Sequence, residues 1–426
     1  VFNNTVRFSG QQPNFAQKIN INHPKEDSFV RTLSPLPINV SPVKLFPFSK
    51  KVSFGQSSME KEINEQPSVI SGLVKKYLPP NMPVANIDLN MTNEEIKNIS
   101  QIHIIASGSS RNVGNIAKYI MEKYADIPTE VEYASEFAHR KPSLHKNDLV
   151  IAISQSGTTE DTYSALKMAT EKGVHTLALT NVPESKIHKL GQSKMEVGAG
   201  KENSIAATKS FTAQLVNLYA LAVHLGEKKG VLSFEQSNKI KEELRQVKPN
   251  LERFLSNTPQ IEQAANVIKD SKNTILLGRG INSSVVQEGA LKIKETTYID
   301  ANGYPSGEFL HGHMAVTDKT TPVISIIVPD KDKENYNLSI ANTEHIKQRR
   351  NPNLVIIKNE KDKTIEEQKA FKNAAFINIP QSSEDISPIY TVTALQLIAL
   401  KTAEALGRDI DHPRDLTKSV MFEDKS

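Results

Sequence analysis

The chain has 426 residues, 38% of them hydrophobic, and a formal charge of +4 at pH 7. This length can bury one large core or two medium ones, because domains usually have about 100–200 residues. Cysteine is absent, which excludes disulfide bonds, thiolate metal sites and cysteine nucleophiles. No segment has the ~20 apolar residues of a membrane helix, and no basic region with an apolar block opens the chain. We therefore expect a soluble, cytoplasmic protein with no membrane partner.

Residues 1–58 differ in composition from the rest of the chain. They carry seven Lys or Arg against Glu26 and Asp27, and they hold six of the 22 prolines and seven of the 15 phenylalanines. Because they show no period of 2 or 3.6 residues, we predict a mostly disordered tail. Its phenylalanines leave docking on the protein open, and an upstream extension before Met59 is the alternative. The remainder has no basic cluster with interleaved aromatic residues, so no nucleic-acid partner is expected.

From Met59 onward, short β-branched apolar segments alternate with amphipathic segments, which is typical of parallel βαβ units. The first series has predicted strands at 102–105, 149–153, 176–179 and 194–197 and predicted helices at 113–124, 160–171 and 208–225. The second series has predicted strands at 274–277, 321–328, 354–357 and 375–379 and predicted helices at 284–298, 334–349 and 388–407. Each series opens with an apolar strand that enters a small-residue turn before a helix, which indicates a duplication.

The predicted fold class is α/β, with two tandem doubly wound domains whose parallel sheets are flanked by helices. The disordered tail precedes them. The predicted division is a tail at 1–58, a first domain with an N-terminal helical lead-in at 59–228, a linker helix at 229–271, a second domain at 272–408 and a C-terminal tail at 409–426.

The first strong candidate for a binding site is the hydroxyl-rich turn at residues 153–162. Its serines and threonines follow a predicted strand and precede a helix, whose first N–H groups and positive dipole end favour an anion. The glycine motifs of nucleotide sites are absent, so a monophosphate fits better. An ordinary Ser/Thr N-cap turn is the alternative. Residues 107–110, Ser-Gly-Ser-Ser, follow another strand in the same way, and two such turns in one sheet favour a polyol phosphate.

One helical segment carries charges at a regular spacing. Glu288, Lys292 and Glu295 fall at i, i+4 and i+7, on one face of the predicted helix. Such a face is normally a solvated salt-bridge ladder, and the spacing by itself predicts that.

Two further segments have a simple structural interpretation. His311 and His313 lie in a loop-like segment, where a His-x-His pair can bind metal, but no third ligand is evident nearby. We therefore expect loop histidines, with no metal site and no cofactor. Pro413 blocks a helix near the C-terminus, where a lone residue such as Lys418 is usually a solvated tail residue.

Nine segments in order match one known family. They are Met59-Glu-Lys-Glu-Ile-Asn-Glu-Gln-Pro67, Gly108-Ser-Ser110, Tyr133-Ala-Ser-Glu-Phe137, Ser154-Gln-Ser-Gly157, Ala207-Thr-Lys-Ser-Phe211, Glu288-Gly-Ala-Leu-Lys-Ile-Lys-Glu295, His311-Gly312, Asp411-His-Pro-Arg414 and Lys418-Ser-Val420. Across essentially all of residues 59–423, the chain resembles the isomerase half of glutamine:fructose-6-phosphate aminotransferase (glucosamine-6-phosphate synthase). It is also similar to the related SIS-type glucosamine-6-phosphate deaminases. The resemblance implies two tandem SIS (sugar isomerase) domains.

The resemblance also implies a binding site for fructose 6-phosphate or glucosamine 6-phosphate. The implied phosphate contacts are Ser109, Ser154, Gln155, Ser156 and Thr159. Ser110 is implied to contact a sugar hydroxyl, and Ile205 and Ala207 are further implied substrate contacts.

The implied chemistry rests on four residues. His311 would open the sugar ring as an acid/base. Lys418, in the C-terminal tail, would form an imine with the C2 carbonyl of the sugar, which makes this tail catalytic. Glu295 would move a proton between C1 and C2, with Lys292 assisting. Aldose–ketose interconversion requires such a base beside two adjacent carbons, and partial burial raises the pKa of a carboxylate toward neutrality. In this family the histidine typically comes from the neighbouring subunit, which implies a homodimer.

The chain departs from the synthases in some respects. It contains neither their glutamine-hydrolysing domain nor any cysteine, so ammonia is the expected nitrogen partner, and a separate glutaminase partner is an unsupported alternative. Thr158 stands where synthases commonly carry Glu, and Ala207 where they commonly carry Ser. The local sequence around Ala207 is closer to that of the deaminases, and the local sequence around Lys418 is closer to that of the synthases. The direction of the reaction therefore stays open.

The leading hypothesis is therefore a phosphosugar isomerase or deaminase that interconverts glucosamine 6-phosphate and fructose 6-phosphate plus ammonia. One alternative is a deglycase of another 6-phosphorylated ketosamine. The other is a non-catalytic phosphosugar-binding regulatory protein, which would keep the phosphate turns but could discard Glu295, His311 and Lys418. Because the chain retains all three, the sequence favours an enzyme.

Overall fold

The computed structural model describes residues 56–80, 82, 84–331 and 333–418. Residues 1–55 of the N-terminal tail, for which disorder or docking was predicted, lie outside the described residues. Residues 419 and 420 of the C-terminal motif also lie outside them. Ten strands are described. They are β1 (Gln101–Ala106), β2 (Thr129–Tyr133), β3 (Asp148–Ser154), β4 (His175–Thr180), β5 (Ser193–Glu196), β6 (Asn273–Gly278), β7 (Asp300–Pro305), β8 (Val323–Ile327), β9 (Leu354–Asn359) and β10 (Ala375–Ile379).

The strands form two five-stranded sheets in which all pairs are parallel. The first sheet has the order β2-β1-β3-β4-β5, and the second has the order β7-β6-β8-β9-β10. Counted from its own first strand, the second sheet repeats the order of the first. The order switches direction between β1 and β3 and again between β6 and β8, and ligands bind at such points. The predicted pair of doubly wound α/β domains is confirmed.

Twelve α-helices are described between the strands and around them. They are α1 (Ser58–Tyr77), α2 (Asn93–Lys97), α3 (Gly108–Ala125), α4 (Ala134–Phe137), α5 (Glu160–Glu171), α6 (Lys186–Leu190), α7 (Lys209–Lys229), α8 (Phe234–Leu255), α9 (Pro259–Ile268), α10 (Asn282–Thr297), α11 (Glu334–Arg350) and α12 (Ser387–Ala405). Three short 3₁₀ turns lie at Glu308–Leu310, His313–Val316 and Lys369–Phe371. The segment predicted as one linker helix contains both α8 and α9, while the domain boundaries themselves stay a prediction.

The two domains share a hydrophobic core. One cluster of buried side chains contains members from α1, from both sheets and from α12. Helix α7 is buried on every side from Lys209 to Gly226, and α12 is buried along nearly all of its length. A helix that is apolar all around belongs in an interior. These two helices therefore lie inside the molecule, where α3 packs against α7 and α10 against α12.

The sequence pattern does not predict β2 or β7. Both are edge strands, each hydrogen-bonded to one neighbour, β1 or β6. Strand β2 reads Thr-Glu-Val-Glu-Tyr and is only partly buried, and β7 reads Asp-Ala-Asn-Gly-Tyr-Pro. Polar residues, glycine and proline are tolerated at an edge, where one side of the strand needs no ladder partner. The apolar runs that identified the central strands are therefore missing here.

Across residues 56–418, apart from 81, 83 and 332, no helix combines the length and apolarity needed to cross a bilayer.

Candidate active site

The turn between β3 and α5 is held in one conformation by its own hydroxyls. The Ser154 hydroxyl accepts a hydrogen bond from the Gly157 N–H at 3.0 Å and lies 3.1 Å from the Thr159 hydroxyl. Ser156 Oγ accepts from the Thr158 N–H at 3.2 Å. Gly157 has φ +67°, and a Cβ there would collide with Ser185. The turn thus requires glycine and presents the N-terminus of a 12-residue helix, the end at which anions bind.

A second turn of the same kind follows the neighbouring strand. Strand β1 ends at Ala106, and the 18-residue helix α3 begins at Gly108, whose φ is +55°. Strands β1 and β3 are adjacent at the switch point of the first sheet. Both turns line one cavity of about 420 Å³, which is within the ~300–1,000 Å³ of small-molecule sites.

The charged face of α10 reaches this cavity from the second domain. Lys292 Nζ lies 2.5 Å from Glu295 Oε2 and 3.4 Å from Glu288 Oε1, and both Lys292 and Glu288 are almost fully buried. From α3, the Asn112 side chain donates to Glu288 Oε2 at 2.8 Å. The prediction of a solvated salt-bridge ladder is therefore wrong. The reason is that α10 packs against α3 and α12, so its charged face meets α3 and the cavity in place of open solvent.

Burial and charge act in opposite directions on this trio. Burial raises the pKa of Glu288 above its ordinary value, and Lys292 only partly offsets this. Burial alone would lower the pKa of Lys292, but Glu295 and Glu288 outweigh it and raise that pKa above its ordinary value. Lys292 is therefore a fixed cation that holds the Glu295 carboxylate in place, since a buried charge needs a partner.

The C-terminal segment brings a second lysine to the cavity. Lys418 Nζ donates to Glu202 Oε2 at 2.8 Å and to the Ser204 carbonyl at 2.5 Å, and its side chain is 28% exposed. The expectation of a solvated tail residue is wrong. Lys418 is instead hydrogen-bonded to the loop that precedes α7.

The segment before Lys418 is fastened to the start of α1 and to the end of α10. The Asp411 carboxylate accepts from the N–H groups of Ser58 and Met59, at 2.8 and 3.1 Å, where α1 begins. The Arg414 N–H donates to the Tyr298 hydroxyl at 2.9 Å, and its guanidinium lies 4.3 Å from the centre of the Tyr298 ring. A carboxylate at a helix N-terminus is stabilising, so α1 helps to fix the path of the tail.

Eleven of the twelve predicted site residues line the one cavity. They are Ser109, Ser110, Ser154, Gln155, Ser156, Thr159, Ile205, Ala207, Lys292, Glu295 and Lys418. Their individual roles stay predictions.

The cavity also has acidic lining residues that sequence analysis missed. They are Glu160, Asp161 and Glu202. The Glu202 side chain is fully buried, and its only mark in the sequence is its position two residues after Gly200, in a segment that also contains Gly198.

His311 is the predicted site residue that does not line the cavity. It is exposed and follows the 3₁₀ turn Glu308–Leu310, and the neighbouring His313 stacks on Tyr304 with ring centres 4.4 Å apart. Ring opening by His311, delivered from a neighbouring subunit, stays a prediction.

The comparison with protein families agrees with this duplicated architecture. The SIS domain profile matches residues 95–224 and 267–404, and each match contains one of the two sheets. The chain belongs to the SIS domain family.

Individual relatives show which SIS proteins this chain resembles. Glutamine–fructose-6-phosphate aminotransferase (isomerizing) of Gloeobacter violaceus is 38% identical over 366 residues, 86% of this chain and 58% of that protein. The chain thus spans less than two thirds of that relative. The C-terminal domain of glucosamine-fructose-6-phosphate aminotransferase from Francisella tularensis matches with a TM-score of 0.78 and 31% identity, over 85% of this chain and 100% of that one.

A further SIS neighbour shares the fold alone. Glucosamine-6-phosphate deaminase from Thermotoga maritima matches with a TM-score of 0.65 over 85% of this chain and 99% of that chain, at 20% identity.

The matches to the two aminotransferases confirm the resemblance to the isomerase half of that family.

Proposed function

We propose that this SIS protein interconverts glucosamine 6-phosphate and fructose 6-phosphate, with ammonia as the nitrogen compound. The observation that carries the proposal is the convergence on one cavity of two hydroxyl-rich helix N-termini, the Lys292–Glu295 pair and Lys418. The first feature suits a phosphate, and the other two suit proton transfer and imine formation.

The phosphate is proposed to lie at the N-termini of α3 and α5. Ser109, Ser154, Ser156 and Thr159 offer hydroxyls there, and the two helix ends supply partial positive charge. Anchoring the phosphate at one end leaves the carbon chain to extend toward α10 and the C-terminal segment. This orientation would bring C1 and C2 to the side of the cavity that carries Glu295 and Lys418.

The isomerisation is proposed to use the α10 carboxylate as its base. Glu295 would remove a proton from C1 and return it to C2, or the reverse, while the buried Lys292 cation fixes its orientation. A general base of this kind contributes about 10²–10⁴-fold to a rate. Lys418 would form the imine at C2, and exchange of that imine with ammonia would add or release the amino group.

Ammonia, and not glutamine, is the nitrogen compound that these residues are proposed to handle. Release of the glutamine amide in the synthases requires a thiolate, and none of the 426 residues is cysteine. High ammonia would favour amination of fructose 6-phosphate, and low ammonia would favour deamination of glucosamine 6-phosphate.

A coupled assay tests the proposal directly. Purified protein is supplied with glucosamine 6-phosphate while released ammonia is measured, and the reverse reaction is run with fructose 6-phosphate plus ammonium or glutamine. We expect turnover in both directions with ammonia and no synthesis from glutamine beyond its contaminating ammonia. Ammonia release only from another 6-phosphorylated ketosamine would point to a deglycase. Sugar-phosphate binding without any turnover would point to a regulatory protein.

A homodimer with shared sites is the quaternary arrangement that we propose. It is supported by the exposure of His311 and by its absence from the residues that line the cavity. Inactive His311→Asn and Glu295→Gln proteins, mixed under conditions of subunit exchange, should form hybrid dimers with one intact site and regain part of the activity. No recovery after verified exchange would mean that each subunit holds a complete site.

A further inference from the structure

We propose that Glu202 is the counter-ion of the Lys418 nitrogen and keeps the imine formed there in its protonated, reactive state. This inference rests on the proposed function, because it concerns an imine at Lys418. The observation behind it is a fully buried carboxylate, unrecognised in the sequence, within hydrogen-bond distance of the reacting atom.

The donors around Glu202 favour its ionised form. Its Oε1 accepts from the N–H groups of Thr208 and Ser210 at 3.0 and 3.1 Å. Its Oε2 accepts from the Ser210 hydroxyl at 2.7 Å and from Lys418 Nζ at 2.8 Å. Burial alone would raise the pKa of Glu202, but Lys418 and the hydrogen bonds from Ser210 outweigh it and lower that pKa. These donors therefore favour the carboxylate form of Glu202 beside the lysine nitrogen.

The other carboxylates near Lys418 are less suited to this role. Glu62, on α1, accepts from the N–H groups of Asn203 and Ser204 at 2.5 and 3.3 Å, and burial raises its pKa. Glu62 therefore supports the same loop, and its burial disfavours the charged form of its carboxylate.

The remaining charges that line the cavity belong to α10 and α5. Glu295 is paired with Lys292, and Glu160 is paired with Lys186. Asp161 lines the cavity from α5. Among the described residues, Lys418 Nζ donates to Glu202 and to the Ser204 carbonyl, so Glu202 supplies the negative charge that touches it.

The reaction keeps a positive charge on this nitrogen before and after the imine forms. The ammonium form of Lys418 and the C2 ketone give an iminium ion and water, because two ammonium protons leave with the carbonyl oxygen. Ammonia then adds to the iminium carbon, a proton passes to the Lys418 nitrogen and the lysine amine leaves, which gives the C2 iminium of ammonia, on which Glu295 moves the proton from C1 to C2. The iminium form of the lysine adduct accepts ammonia at C2 far better than a neutral imine. A buried anion in contact with the nitrogen raises the pKa of the iminium and so maintains the reactive form.

Reductive trapping across pH measures that pKa. Protein is incubated with fructose 6-phosphate and cyanoborohydride, which reduces iminium ions, and the adduct on Lys418 is quantified by peptide mass spectrometry. In the wild type, the adduct should persist to alkaline pH. In Glu202→Gln, whose side chain can still accept the loop N–H bonds, the midpoint of adduct loss should move to lower pH by about 1–3 units.

Glu62→Gln is the matched control, because Glu62 is also a buried carboxylate that accepts N–H bonds from this loop. Its midpoint should stay at the wild-type pH. An equal shift in Glu62→Gln would mean that loop geometry, and not the Glu202 charge, sets the midpoint. An unshifted midpoint in Glu202→Gln, in protein that still binds inorganic phosphate, would also overturn the counter-ion role.

A second variant, Glu202→Asp, tests the counter-ion role if Glu202→Gln does not fold. Glu202→Asp keeps the charge but moves it away from the nitrogen, so its midpoint should shift in the same direction by a smaller amount, and an unshifted midpoint would overturn the role. The wild-type result separates the two proposals. A wild-type protein that forms no Lys418 adduct at any pH overturns the proposed imine chemistry and the counter-ion with it, whereas an adduct without a pH shift in the variants overturns the counter-ion alone.

Discussion

The two halves of the molecule repeat one strand order but use the ends of their strands differently. In the first half, the third strand of the sheet leads into α5, whose N-terminus lines the cavity. In the second half, the equivalent helix is α11, and the Asp330 carboxylate accepts from the N–H groups of Asn335 and Tyr336 at 3.1 and 3.3 Å. An internal anion thus occupies the helix end that α5 leaves for a ligand.

The second half contributes the middle of a helix in place of a helix end. Glu288, Lys292 and Glu295 lie along α10 and reach the cavity of the first half across the contact of α10 with α3. The comparison therefore predicts a division of labour. The first half binds phosphate, and the second half with the C-terminal segment carries the chemistry.

The largest effect should come from the chemical side of this division. Glu295→Gln and Lys418→Ala should each lower turnover by at least ~10²-fold, because a general base or a nucleophile is lost, while phosphate affinity is retained. Lys294→Gln is the matched control on α10, since Lys294 is partly exposed and outside the cavity. Steady-state kinetics together with phosphate-binding titration measure both quantities. Near-normal turnover in either variant would return that residue to a structural role.

Two positive-φ glycines, one in each half, should sharpen the comparison. Gly157→Ala places a side chain at positive φ and against Ser185, so it should cost about 1–3 kcal/mol of stability and reduce phosphate affinity. Gly280→Ala, also at positive φ, meets the movable end of Glu384 at 3.0 Å and should lower stability by about 1 kcal/mol with phosphate affinity unchanged. Thermal melting and phosphate titration of the two variants provide the comparison. Equal losses of affinity would contradict the assignment of phosphate to the first half.

Removal of the internal anion tests the other side of the comparison. Asp330→Ala should lower the free energy of unfolding by about 0.5–2 kcal/mol, as for loss of a helix cap, with little change in turnover. Asp330→Asn keeps an acceptor and should lose less. Denaturant unfolding and the coupled assay measure the two effects. A loss of turnover comparable to that of Glu295→Gln would show that the second-half helix end takes part in the reaction.

The smallest effect should come from shortening the N-terminus. A chain that begins at Gln56 should retain turnover, because residues 1–55 supply no predicted ligand. A chain that begins at Met59 also loses the Ser57 hydroxyl, which caps α1 by accepting from the Glu60 N–H at 3.1 Å, and the Ser58 N–H, which donates to Asp411 at 2.8 Å. It should be about 1 kcal/mol less stable. Melting temperature and turnover of the two shortened chains check this. Loss of turnover on starting at Gln56 would point to docking by the phenylalanines of the tail.

Local sequence was enough for the central strands and for the position of the two hydroxyl-rich turns. A β-branched apolar run followed by hydroxyls and one glycine specifies a strand, a turn and a helix start within about ten residues, independently of the rest of the chain. The same pattern placed the turns at 107–110 and 153–159 in one sheet, and they do line one cavity. Glu295 and Lys418 were identified as candidates through the family resemblance, since their own local patterns pointed to a salt-bridge ladder and a solvated tail.

Only the tertiary structure decided the electrostatics of the site. An i, i+4, i+7 spacing of charges is equally compatible with a solvated face and with a buried one, and α10 became the second kind because α3 and α12 pack over it. Glu202 and Lys418 are separated by more than two hundred residues and meet because α1 holds the tail through Asp411. Burial and the pairing of charges depend on which surfaces meet. That is a property of the packed chain and not of any short segment of it.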